Sequence, residues 1–257
     1  MPEYISASRI NLYMQCSLKY KFRYIDKLPV SFKSSGLAFG SAVHSALDWL
    51  HRERMNGNGA SLERLYKIIE ADWYAQKLEM DIRFKEGEDE ERLVLLAKEI
   101  LGLYFHEPAN EIKGAEIPFT VPVINPSTGE KLAVNLEGYM DLIEKDGTIV
   151  EFKTSQQTMS LDDVLNSIQL TAYSYAYEVL YQKPPKVLKV VNFVKNKKPK
   201  INVMETVRGK SDYQRFFYLA KQVLKGIEGQ MFFPRIGFWC KDCEYEEGCR
   251  GWNNSFS

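Results

Sequence analysis

Apolar residues recur at helical spacing through roughly the first hundred positions, and at alternate positions after that. In "FGSAVHSALDWLHRERMN", Phe39, Val43, Ala46, Leu47 and Leu50 fall on one side of a helix that Gly57 and Gly59 end. Upstream, "ISASRINLYMQCSLKYKFRYIDKLP" predicts a short helix capped by Ser6 or Ser8, followed by a segment that interleaves aromatic and basic residues. Two further helical patterns run over about 61–84 and 88–106, with the acidic stretch "KEGEDEE" between them.

From position 115 the period becomes two. "AEIPFTVPVI", "KLAVNLEGYMDLIEK" and "TIVEFKT" predict three strands of a meander, joined by the turn chemistry of "NPSTGE" and "KDG". Ser160 then caps one long helix, "LDDVLNSIQLTAYSYAYEVLY", with Asp163 at the capping-box position. "KVLKVVNFVKN" and "INVMETVRG" form a further hairpin, and a helix over about 211–226 leads into a cysteine-rich tail. Helices, then a sheet, then helix and sheet again predict a mixed α/β core behind a helical N-terminal portion.

Composition narrows the function classes. Lys plus Arg equals Asp plus Glu at 34 each, so any polyanion site has to come from local clustering. With 257 residues and 45% hydrophobic content, the chain is expected to fold as a single soluble domain. The expected division is 1–110 mainly helical, 111–230 the α/β core and 231–257 a cysteine-rich tail joined back to Cys16. No stretch approaches a membrane span and no leader-like run opens the chain, which points to a cytoplasmic protein with reduced thiols. Three of the four cysteines (Cys240, Cys243 and Cys249) crowd the tail, so scattered core thiols are a poor explanation for them.

The loop "KDG" sets the register of the central hairpin. A three-residue loop of Lys145, Asp146 and Gly147, with Gly147 left-handed, pairs Glu144 with Thr148 and brings Asp141 opposite Glu151. Lys153 joins that face two residues along. A two-residue Asp-Gly loop would instead pair Asp141 with Phe152 and separate the acids. Two carboxylates this close repel unless a cation or a shared proton intervenes, and hard divalent ions suit such oxygen ligands. An ordinary sheet face carrying a Glu–Lys pair is the plain alternative.

Asp141, nine residues of spacer and then "EFK" resemble the D…(D/E)-x-K core of PD-(D/E)XK nucleases, without the literal Pro-Asp. "GSAVHSAL" is similar to the helix of RecB-type nucleases whose histidine is a metal ligand, here His44. "QLTAYSYA" resembles the Q-x-x-x-Y motif, giving Gln169 and Tyr173. "SASRINLYMQCSLKYKFRY" and "CKDCEYEEGC" resemble the opening and closing of the iron–sulfur branch, with its cysteines at Cys16, Cys240, Cys243 and Cys249. The branch includes the RecB and AddB nuclease domains and the single-domain CRISPR-associated nucleases, and this chain resembles the stand-alone members.

The resemblance implies a restriction-endonuclease-like α/β core and a metal-dependent DNA exonuclease working on single-stranded or frayed ends. His44, Asp141 and Glu151 would hold Mg²⁺ or Mn²⁺, while Lys153 would position water or stabilise charge. Gln169 and Tyr173 would hold Lys153, the water or the DNA backbone. Glu116, on the first strand, stands where some relatives carry another acid. Four thiolates suit zinc or a [4Fe–4S] cluster equally on ligand identity, and the resemblance favours the cluster. Single-stranded DNA is the implied substrate, with a helicase or a CRISPR-adaptation protein as partner and no membrane. The basic residues Lys19, Lys21, Arg23 and Lys27, and "KNKKPK" at 195–200, are candidate strand contacts. A structure-specific endonuclease and a non-cleaving iron–sulfur DNA-binding subunit are the alternatives.

Overall fold

Hydroxyl and carboxylate caps start most of the helices. In a computed structural model that describes residues 2–108 and 110–254, β1 (Tyr4–Ile5) is followed by α1 (Ala7–Gln15), whose cap Ser6 accepts from the Arg9 N–H at 3.2 Å. The chain breaks at Cys16, which is extended, and resumes as α2 (Ser17–Tyr24). After β2 (Lys33–Ser34) come α3 (Ser35–Met55) and α4 (Leu62–Glu79), capped by Ser34 and Ser61. Next are β3 (Ile82–Arg83) and α5 (Glu90–Phe105), the latter capped by Asp89. The long strands β4 (Ile112–Ile124) and β5 (Lys131–Glu144) precede β6 (Ile149–Ser155). Then follow α6 (Leu161–Leu165), α7 (Ile168–Tyr181), β7 (Leu188–Val194), β8 (Lys200–Thr206), α8 (Lys210–Glu228) and α9 (Glu246–Asn254).

Two expectations need correction. The helical pattern over 61–84 stops at Glu79, and Ile82 and Arg83 pair in parallel with Lys33 and Ser34. The helix expected to run unbroken from Ser160 is two helices, because Ser167 turns extended and caps a second start by accepting from the Leu170 N–H at 3.2 Å. In both cases a local cap or a short strand pairing outweighs a continuous apolar period. The short opening helix is found over Ala7–Gln15, capped by Ser6, and the aromatic and basic segment after Cys16 forms a second helix. The capping box of Ser160 and Asp163 is as expected.

The architecture is mixed α/β, with a mixed sheet flanked by helices. The chain divides into two compact units. One comprises residues 1–31, 120–138 and 208–257, the other 32–119 and 139–207. In the first, β1 runs parallel to β5, with Tyr4 beside Asn135 and Ile5 beside Leu136. Leu18, Phe22 and Tyr245 form a small buried cluster there, with Cys16, Cys243 and Cys249 packed against it.

In the second unit, β5 pairs antiparallel with β6, β6 parallel with β7, and β7 antiparallel with β8. The parallel step requires a crossover, which α6 and α7 supply. Val150 and Phe152 of β6 enter a core with Phe39, Leu47 and Leu50 of α3, Trp73 of α4 and Phe193 of β7. His51 stacks on Phe152 with ring centroids 5.2 Å apart, and Phe152 stacks on Phe193 at 6.0 Å. Alternation sends Glu151 and Lys153 to the opposite face.

The hairpin closes with the three-residue loop. Glu144 and Thr148 bond through their backbones at 2.9 Å, and Gly147 has φ +92°. Leu142 pairs with Val150 and Ile143 with Ile149, so Asp141 stands opposite Glu151, one step farther out.

Candidate active site

Four elements of the second unit carry the site. Asp141 comes from β5, Glu151 and Lys153 from β6, Gln169 and Tyr173 from α7, and His44 from α3. The Lys153 ammonium lies 2.5 Å from Glu151 Oε1 and donates to Gln169 Oε1 at 2.6 Å. The Gln169 amide donates in turn to the Tyr173 hydroxyl at 2.8 Å. Because α7 restarts at Ser167, Gln169 falls in its first turn and Tyr173 one turn later on the same side. The Gln169 carbonyl is thus fixed from behind, and Lys153 is gripped by two oxygens.

Asp141 Oδ2 accepts from the Phe152 N–H at 2.8 Å and lies 3.9 Å from His44 Nδ1. That backbone donor is a contributor the sequence reading missed, since no side-chain motif marks it. Gly40 of α3 faces β6, where a Cβ would meet Thr154 Oγ1 at 3.4 Å, an ordinary contact. Ligand atoms of His44, Glu116 and Asp141 all fall within 4.8 Å of one another.

Burial and charge move several of these groups. Asp141 is pushed up to about 9 by its burial and by the neighbouring Glu151, partly offset by the Phe152 N–H and Lys153. Burial also raises Glu116, with Asp48 and Glu151 adding to the effect. His44 is lowered, mainly by burial, which keeps its imidazole neutral and able to act as a ligand. Tyr173 is raised well above the ordinary phenol by burial and by the charges of Glu151 and Asp141, so it stays protonated. Glu151 is 1% exposed, and its Oε2 is buried with no hydrogen-bond partner. Buried oxygens crowded in this way, one of them orphaned, suit a divalent cation.

In the first unit, Cys16, Cys240, Cys243 and Cys249 line one cavity of about 180 Å³, together with Leu18, Phe22, Trp239 and Tyr245. The aromatic and basic segment that precedes it is largely engaged. Lys19 pairs with Glu244 and Lys21 with Asp26, each at 2.6 Å, while Tyr20 and Phe22 are buried. Of the lysines at 195–200, Lys195 lies over the Phe39 ring at 4.6 Å, and burial lowers it.

The profile of the PD-(D/E)XK nuclease superfamily matches residues 4–250. The chain belongs to the PD-(D/E)XK nuclease superfamily. Membership indicates a hydrolase of nucleic-acid phosphodiester bonds, in a superfamily that typically uses divalent metal ions. No curated protein matches the chain by sequence. Among solved structures, a provisionally named exonuclease of Eubacterium rectale shares 15% identity at a TM-score of 0.64, over 97% of this chain and 88% of its own. At that identity the likeness speaks to the fold alone. A structure of SSO0001 shares 15% identity over 91% of this chain and 94% of its own, at a TM-score of 0.40. LHK-Exo in complex with dAMP shares 11% over 76% of this chain and 97% of its own, at 0.23. No helix among the described residues is long and apolar enough to cross a membrane.

Proposed function

We propose that this PD-(D/E)XK superfamily member is a metal-dependent DNA exonuclease of the RecB and AddB type, iron–sulfur branch, acting on single-stranded or frayed ends. The observation that carries the reading is the line from Glu151 through Lys153 and Gln169 to Tyr173, set beside Asp141 and His44. A sheet-face ion pair has no need of a buried carboxylate with an unpartnered oxygen, nor of a glutamine fixed to grip the lysine.

His44, Asp141 and Glu151 would hold Mg²⁺ or Mn²⁺, which supplies Lewis acidity toward water and phosphate. An ammonium has three N–H donors. Glu151 and Gln169 engage two of those on Lys153, leaving one for the attacking water or a phosphate oxygen. Glu151 and Gln169 thereby aim that donor, and Tyr173 keeps the Gln169 carbonyl turned toward it. Neutral His44 offers a nitrogen lone pair without adding positive charge.

The four thiols line one cavity, and the resemblance to the iron–sulfur branch favours a [4Fe–4S] cluster over zinc there. The cluster's role in this reading is to hold α2 and the tail together. A cytoplasmic setting and a helicase or CRISPR-adaptation partner belong to the same reading.

The test is cleavage of linear and circular single-stranded DNA with Mn²⁺, using anaerobically purified wild type and Lys153→Ala. Loss of the linear form only, abolished in the variant, supports the exonuclease. Cutting of circles would favour the endonuclease reading, and wild-type inertness across metals and substrates would sink both.

A further inference from the structure

Val191 and Phe193 of β7 enter the core beside Phe152, so alternation turns Leu188, Val190, Asn192 and Val194 to the face that Glu151 and Lys153 occupy. Asn192 is the polar exception among those four, and it is fully buried. A buried amide is costly unless its hydrogen bonds are made, so its partners show what it is there for.

The Asn192 Oδ1 accepts from the Met159 N–H at 3.0 Å, which fixes which end of the amide is oxygen. Its Nδ2 donates to Ser155 Oγ at 2.8 Å and reaches the Lys153 carbonyl at 3.5 Å. Ser155 donates its own hydroxyl proton to the Gln157 carbonyl. Register sets Asn192 directly beside Lys153 across the parallel pair of β6 and β7. One side chain therefore ties the end of β6 to Met159, where the loop from β6 to α6 finishes. Met159 precedes Ser160, the cap of α6, and α7 then brings Gln169 back to the Lys153 ammonium at 2.6 Å. Lys153 is thus held at both ends. Asn192 meets its carbonyl, and its ammonium meets a glutamine whose crossover starts from the segment that Asn192 anchors.

We propose that Asn192 is a positioning residue for the candidate active site, setting where Gln169 meets Lys153 by clamping the two ends of the loop between β6 and α6. As a statement about cleavage, the proposal rests on the nuclease reading above.

The experiment is single-turnover cleavage of linear single-stranded DNA at saturating Mn²⁺ by the full chain, for wild type, Asn192→Ala, Gln169→Ala and the double variant. Val191→Ala, in the same strand but facing the core, controls for lost packing. Rates are taken per folded molecule, and calorimetry with MnCl₂ follows metal affinity. Asn192→Ala should lower the rate about tenfold or more, because a small displacement near the reacting groups suffices for that, while Mn²⁺ affinity stays within a few-fold. Val191→Ala should keep the wild-type rate. Since Asn192 acts through Gln169, adding Asn192→Ala to Gln169→Ala should cost less than about threefold more. The ¹³Cε resonance of Lys153, assigned by its absence from Lys153→Ala, should move in Asn192→Ala toward its position in Gln169→Ala. If the alanine variant fails to fold, Asn192→Asp repeats each measurement, being of the same size and still able to accept from Met159. A wild-type rate per folded molecule at position 192 variants, or losses that multiply in the double variant, would overturn the proposal. Wild type that cuts no DNA removes the nuclease reading, and the Lys153 resonance then decides the positioning by itself, an unmoved signal overturning it.

Discussion

Asp141→Asn should disable the enzyme and stabilise the metal-free protein. Burial and Glu151 push the Asp141 carboxyl from 3.8 to about 9, so the fold resists an ionisation that the unfolded chain makes freely. A carboxyl raised on folding destabilises the native state above its unfolded value, and the penalty grows with pH until the folded value is reached. Each pH unit is worth 1.36 kcal/mol, so the bound is about 1.5 kcal/mol at pH 5 and about 4 kcal/mol at pH 7. Asparagine cannot ionise, yet its carbonyl can still accept from the Phe152 N–H that Asp141 uses at 2.8 Å. Urea unfolding in EDTA should therefore show the variant more stable by about 1–4 kcal/mol at pH 7, with the gap shrinking toward pH 5. Saturating Mn²⁺ should reverse the order, because only wild type gains strongly from the ion. A variant less stable than wild type at pH 7 without metal, or a gap that ignores pH, would refute the reasoning.

Four further outcomes can be checked. Lys153→Ala should lower single-turnover cleavage by about a hundredfold or more while leaving Mn²⁺ affinity within a few-fold, a split that Asp141→Asn should not show. Mn²⁺ affinity should rise about tenfold per pH unit between roughly pH 5 and 8, since the ion must displace the Asp141 proton, and a flat calorimetric profile would contradict this. Cys243→Ser should lose chelatable iron and visible absorption, whereas iron-free wild type with stoichiometric zinc would favour the zinc alternative. Phe152→Ala should cost about 3–5 kcal/mol in urea unfolding, because its ring is fully buried between His51 and Phe193.

Much of the active-site hairpin could be read from residue types. Gly147 in "KDG" selects a three-residue loop, and counting outward then puts Asp141 opposite Glu151, as the fold has it. Gln169 and Tyr173 at a four-residue spacing lie one turn apart whichever way the helix begins. The break at Ser167 was hidden because "NSIQL" keeps its apolar period while a hydroxyl competes for the backbone. Glu116 was legible as an acid but not in its left-handed backbone, φ +47°, which no neighbouring residue type calls for. Lys19 and Lys21 read as a strand-binding pair, yet Glu244, distant in sequence, takes one and Asp26 the other. Pairings across more than two hundred positions leave no local signal.

The strict alternation of β6 also governs how this protein can change. Glu151 and Lys153 face the candidate site on one side while Val150 and Phe152 fill the core on the other. Deleting or inserting one residue between Glu144 and Glu151 would exchange the two sides, burying a lysine and presenting a phenylalanine to the candidate site. Substitutions here can trade activity against stability, but a single-residue frame slip damages both together. In families descended from such a chain, length variation should therefore be tolerated in exposed loops and be missing from the stretch that links the hairpin loop to Lys153.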